Sequence, residues 1–203
     1  MGEHSLQFAA LVGSRICHDL ISPIGAINNG MELMSMSGLA ASLEMALISE
    51  SVDAANARIH FFRIAYGAPS TTQLLGRGEI TSILKDMSRG ARMTLHWDPV
   101  EDLSRSEVQL AFLAIQCAQQ AMPYGGTLSV RRAAQRWELS MDAERLSLDG
   151  AQWDTLLNGA EDMQADPATL PAHVQFLLLP LHAKAIGRDI HLLREDAGAR
   201  LCV

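Results

Sequence analysis

Across residues 4–36, apolar or small side chains recur at Leu6, Ala10, Gly13, Cys17, Leu20, Ile24, Ile27, Met31 and Met34, in alternating steps of four and three. This heptad-like spacing lines one stripe of a long helix and calls for a partner helix to cover it. A second stretch, from about Leu39 to Tyr66, carries Leu43, Leu47, Val52, Ala55, Ile59, Phe62 and Tyr66 mostly at helical spacing. Gly38 breaks the pattern between the two, and Gly67 is placed to end the second helix. Two such helices joined by a short turn make an antiparallel hairpin. A lone hairpin cannot bury its apolar face on all sides. Another domain must cover it, or a second hairpin, as in a dimeric four-helix bundle.

The stretch "GAPSTTQLLGRGE" (67–79) crowds glycine and proline among Ser and Thr and reads as a linker. Beyond it the pattern is mixed. "MTLHW" (93–97) reads as a strand. Residues 104–122 read as a helix, with Ser104 at the N-cap and Glu107 three residues on, a capping-box arrangement. "TLSVRR" and "RWELSMD" alternate polar and apolar residues and follow the turn "PYGG", so they read as paired strands. "DGAQWDTLLNG" reads as a short helix, and "AHVQFLLLPLHAKAIG" as a longer one closed by Gly187. "DIHLLRED" and "ARLCV" read as a final hairpin around Gly198. The expected class is therefore α+β. A helical hairpin over 1–68, which a second hairpin would cover in a dimeric four-helix bundle if no other domain does, is followed over 76–203 by an α/β sandwich with a mostly antiparallel sheet.

Composition narrows the function. The 203 residues are 48% hydrophobic with a net charge of −7, and the pI is about 5.4. General nucleic-acid and anionic-membrane binders carry basic surfaces, so neither kind of partner is expected. Cys17, Cys117 and Cys202 are odd in number and widely spaced, which suits neither a disulfide framework nor a zinc site. Adjacent helix positions diverge by about 100°, so Cys17 and His18 make a poor chelating pair, and Cys17 reads as a seam residue. "MGEHSLQFAALVGSR" shows no basic region leading into a long apolar run. No signal peptide is expected, and the expected compartment is the cytoplasm.

His18 lies roughly 130° from the centre of the stripe, on an outward ridge of the first helix. Arg15 and Ser22 share that face, and Asp19 is outward on the other flank. Pro23 cannot donate to the Asp19 carbonyl, so the helix is expected to kink or loosen just after His18, at a site where an interior proline costs roughly 3 kcal/mol. A neutral imidazole is a good nucleophile, and a neighbouring carboxylate can hold one ring N–H while the other nitrogen attacks. An exposed nucleophile on a rigid helix suits passage of a phosphoryl group between proteins. The contrary reading is that His18, one of seven histidines, is an ordinary surface residue.

The run "CHDLISPIGAI" resembles the H-box of dimerising histidine phosphotransfer domains, in which an acid follows the histidine and a proline stands five residues on. With "SRICHDLISPIGAINNGMELM" and "FFRIAYGA" (61–68), the chain resembles the ChpT-type histidine phosphotransferases of bacterial phosphorelays. The resemblance implies a dimeric hairpin bundle followed by a degenerate histidine-kinase ATPase-like domain. It implies that His18 accepts a phosphoryl group from a receiver aspartate of a hybrid histidine kinase and passes it to response regulators of the CtrA or CpdR kind. Asp19 would orient or deprotonate the ring. Arg15, Ser22 and Asn29 are the candidates for docking the partner. Mg²⁺ would come from the receiver domain, and this chain would bind no cofactor of its own.

An ATP-dependent sensor-type histidine kinase is the main alternative, and the resemblance also says where its nucleotide motifs would fall. Aligned on Gly125-Gly126, Leu113 and Cys117 stand where two helix asparagines would hold Mg²⁺ and phosphates, and neither side chain suits a hard cation. "DAERL" follows where an Asp-x-Gly-x-Gly turn is needed, and "ADPATLPAHVQ" carries no glycine-rich lid. ATP binding is therefore not expected. The domain's expected role is to pack on the bundle and to form part of the docking surface. A non-catalytic dimeric scaffold is the third reading. Arg131, Arg132 and Arg136 read as a solvated face, and Arg63 as a brace at the domain junction.

Overall fold

A computed structural model of the chain describes residues 2–37, 42–134, 136–158, 171–195 and 198–203. The two long helices are α1 (Gly2–Ser37) and α2 (Ser42–Ala65), packed along each other. The turn read at Gly38 lies outside the described residues. α1 stays helical through Pro23, whose ring is buried, so the loosening expected after His18 opens no turn.

The apolar stripe of α1 divides into two flanks. Leu20, Ile27 and Met34 are half-buried, whereas Cys17, Ile24 and Met31, each seven residues from the next, are exposed. On α2, Val52 and Ile59 are also exposed. The end of α2 differs: Phe61, Phe62, Ile64 and Ala65 are buried. There the helix is covered by α3 (Arg77–Met87) and α4 (Arg105–Ala121).

The remaining elements build the sandwich. In chain order, β1 (Leu74–Leu75) precedes α3, and β2 (Met93–Trp97) and β3 (Leu103–Ser104) precede α4. Then come β4 (Gly126–Ala133), β5 (Arg136–Asp142), α5 (Ala151–Asn158), a 3₁₀ turn at Pro171–His173, α6 (Val174–Ala185), β6 (His191–Glu195) and β7 (Gly198–Cys202). The main sheet has the order β2-β4-β5-β7-β6, parallel between β2 and β4 and antiparallel elsewhere, and β1 pairs with β3. Alternate residues point to one buried face, among them Leu128, Val130, Trp137, Leu139, Met141 and Leu201. The fold is thus α+β, as the pattern predicts.

Two local expectations need correction. α3 was not expected: its first three residues, Arg77, Gly78 and Glu79, fall within the stretch read as linker. The basic trio is not one solvated face either. Arg131 is exposed, but Arg132 is mostly covered and lies 3.5 Å from Glu101 and 3.7 Å from Glu107. The capping box forms by half. The Ser104 hydroxyl accepts from the Glu107 N–H at 3.4 Å. The Glu107 carboxylate instead accepts from Trp137 Nε1 at 3.1 Å and from Arg188 Nη2 at 2.5 Å.

The junction between hairpin and sandwich is made by α4. The last carbonyls of a helix have no partner within it and carry partial negative charge. Arg105 donates to the carbonyls of Arg63 and Ala68, and Gln109 donates to those of Ala65 and Gly67. Arg63 therefore serves the junction through its backbone, and its exposed side chain lies 4.0 Å from Glu79 of α3 across the same junction. A Cβ at Gly67 would collide with the Arg63 carbonyl and the Arg105 guanidinium, so glycine is required there by close approach. One hydrophobic cluster runs from Phe61, Phe62 and Ile64 through α4 to the sheet.

Candidate functional site

His18 stands on the surface of α1 with 77% of its side chain exposed. Its Nδ1 lies 3.0 Å from Asp19 Oδ1. An ionised carboxylate can only accept, so the proton of that contact belongs to the ring nitrogen. Nδ1 then donates to Asp19, and Nε2 is left with its lone pair directed away from the carboxylate.

Asp19 is not the outward residue that helix geometry alone suggests, since only 18% of its side chain is exposed. Arg15 draws it in: Arg15 Nε donates to Asp19 Oδ2 at 2.8 Å, an i,i+4 pair on α1. Arg15 is covered as well, with 15% of its side chain exposed. Its Nη1 donates to the carbonyl of Ala172 at 2.7 Å, in the 3₁₀ turn before α6. Arg15 was expected to lie open beside His18 as a docking residue. The structure turns it inward, because two acceptors hold its guanidinium against the sandwich. Ser22 and Asn29 are exposed.

The cation is felt by its neighbours. Burial pushes the Tyr66 hydroxyl up from the ordinary value to about 12, with the Arg15 charge opposing the rise, and the hydroxyl donates to Gln116 Oε1 at 3.0 Å. Burial and the Arg15 charge together hold the His173 imidazole below its usual value. Sequence reasoning found His18 and Asp19 but missed Ala172, Gln175 and Tyr66 as the surroundings of Arg15. Nothing near residue 15 in sequence signals a carbonyl that the fold brings in from residue 172.

A family model described as the histidine phosphotransferase C-terminal domain matches residues 77–198. The chain belongs to this family. It is 38% identical over 129 residues to a curated relative, the protein phosphotransferase ChpT of Brucella abortus (strain 2308). That match takes in 63% of this chain and 61% of the relative, less than two thirds of its length. A solved structure described as that of a bacterial phosphotransferase superposes with a TM-score of 0.81 at 31% identity, over 97% of this chain and 95% of that one. The likeness to that structure thus extends over the hairpin as well as the sandwich.

Leu113 and Cys117, the two residues expected from the resemblance to replace helix asparagines, are fully buried in the core. Burial raises the Cys117 thiol well above its ordinary value and keeps it protonated. Of the stretch read as carrying no glycine-rich lid, 165–175, residues 165–170 lie outside the described residues. Among the described residues no group of three or more His, Cys, Asp or Glu is placed to hold a metal ion, and no helix is long and apolar enough to cross a membrane.

Proposed function

We propose that this chain is an ATP-independent histidine phosphotransferase of a cytoplasmic phosphorelay, with His18 as its phosphoacceptor. The observation that carries the reading is the exposed His18 ring whose Nδ1 contacts Asp19 at 3.0 Å. The Nε2 lone pair attacks phosphorus on the aspartyl phosphate of a hybrid-kinase receiver. The N–P bond forms as the P–O bond to that aspartate breaks, and the aspartate leaves as a carboxylate. Nδ1 keeps its proton throughout, and Asp19 stabilises the positive charge that the phosphorylated ring acquires. The reverse step delivers the group to the aspartate of a response regulator, of the CtrA or CpdR kind by resemblance. Mg²⁺ held by the receiver would neutralise charge on the transferring group.

Residues 1–68 serve as the transfer and dimerisation unit and 76–203 as a degenerate ATPase-like unit that holds no nucleotide. The burial of Leu113 and Cys117 in apolar surroundings supports the loss of ATP. A homodimeric four-helix bundle is supported by the open flank of Cys17, Ile24 and Met31 together with Val52 and Ile59 on α2, an apolar surface of the kind a second hairpin covers. Ser22 and Asn29, exposed on the side of α1 that carries His18, would dock the receiver. The test offers the wild type and His18→Ala both a receiver charged with labelled aspartyl phosphate and labelled ATP. The reading requires label on the wild type alone, and from the receiver alone.

A further inference from the structure

We propose that Arg15 is a positioning residue through which the sandwich sets the Asp19 carboxylate, and with it the tautomer and orientation of the His18 ring. This rests on the reading of His18 as the phosphoacceptor. Neighbouring residues on a helix point about 100° apart, so a His-Asp pair does not bring its own side chains together. Asp19 has several staggered rotamers, and most of them carry the carboxylate away from His18. Arg15 selects one. Its Nε holds Oδ2 at 2.8 Å in a charge-assisted bond, which leaves Oδ1 to His18 Nδ1 at 3.0 Å.

The far end of Arg15 is fixed in turn. Nη1 donates to the Ala172 carbonyl at 2.7 Å, and the same oxygen accepts from Gln175 Nε2 at 3.0 Å. Gln175 is fully buried at the start of α6. A carbonyl oxygen has two lone pairs, and both are engaged. The chain of contacts therefore runs Gln175, Ala172, Arg15, Asp19, His18, from the buried core of the sandwich to an exposed ring on α1. The guanidinium fork suits this geometry because it presents donors in two fixed directions, which a lysine ammonium does not. An arginine so enclosed is poorly placed to bind a partner, and the sandwich acquires a role in transfer beyond support.

Two measurements on the full-length chain test this. In the first, long-range ¹H–¹⁵N correlation spectra read the His18 tautomer above neutral pH. The Nδ1–H form should dominate in the wild type, and Arg15→Ala should shift the ring toward the Nε2–H form, as Asp19→Ala does. In the second, single-turnover transfer from a charged receiver is followed against receiver concentration. Arg15→Ala should lower the saturating rate about tenfold, a typical consequence of lost alignment, and leave the half-saturating concentration within about twofold. Arg15→Ala added to Asp19→Ala should cost nothing further, because the two act as one unit. Arg15→Lys should recover part of the rate and serves in place of the alanine variant if that fails to fold. A raised half-saturating concentration at an unchanged saturating rate would make Arg15 a docking residue and overturn the proposal. An unchanged tautomer, or effects that multiply with Asp19→Ala, would also overturn it. If the wild type takes no label from any receiver, the phosphotransfer reading fails, and the tautomer measurement still decides whether Arg15 positions the pair.

Discussion

Phe61 of α2 stacks on Phe112 of α4, with ring centroids 4.5 Å apart and planes 7° from parallel. Both rings are fully buried, and they join the hairpin that carries His18 to the helix lying on the sheet. Phe61→Ala is expected to destabilise the protein by about 3–5 kcal/mol, the usual cost of emptying a buried aromatic position. Because the cluster is continuous across the junction, helix and sheet signals should be lost in one denaturant transition. A loss below about 1 kcal/mol, small for a core truncation, or two separate transitions would contradict this account of the junction.

Much of this fold was legible because local chemistry and long-range packing agree. The alternation in 136–142 places Trp137, Leu139 and Met141 on the buried face, and the strand forms there. Ser104 caps α4 as its position suggests. Where the signals disagree, packing decides. Gly76 and Gly78 read as linker residues, yet Ile80, Ile83 and Leu84 behind them give α3 a buried face, and helix forms from Arg77. The site shows the same division. His18 and Asp19 are adjacent in sequence and could be paired by reading. Arg15 could not be placed, since its second acceptor, Ala172, lies 157 residues away.

Tyr66 makes stability fall at high pH. Its hydroxyl titrates near 10 in an unfolded chain and is pushed up to about 12 by burial in the folded one. The folded state therefore holds this proton more tightly. The contribution is fully present below pH 10 and is lost as pH rises through about 12. The pH-dependent loss should approach about 2–3 kcal/mol, from two pKa units at 1.36 kcal/mol each. Tyr66→Phe should cost about 1 kcal/mol at neutral pH, from the lost bond to Gln116. It should then show a shallower decline between pH 10 and 12. Parallel declines in urea unfolding of the two proteins would contradict this.

Ile24 and Met31 lie seven residues apart on the open flank of α1 and are 49% and 59% exposed in the single chain. A charge at either position costs a protomer little but would have to be buried in a bundle. Ile24→Asp is expected to weaken self-association by more than about tenfold, while the helical signal stays within about 10% of the wild type, since the position is open to water in the protomer. Sedimentation equilibrium measures the first and circular dichroism the second. A wild type that remains monomeric at high concentration would remove the dimeric bundle from the account.

The central claim is that Asp19 occupies Nδ1 of His18 and leaves Nε2 to receive the phosphoryl group. The most direct measurement determines the phosphohistidine isomer after transfer from a charged receiver, by ³¹P-coupled ¹H–¹⁵N NMR on the intact chain. The account predicts phosphorus on Nε2 of His18, with Nδ1 still carrying its proton. Phosphorus on Nδ1, or on any other residue, would contradict it.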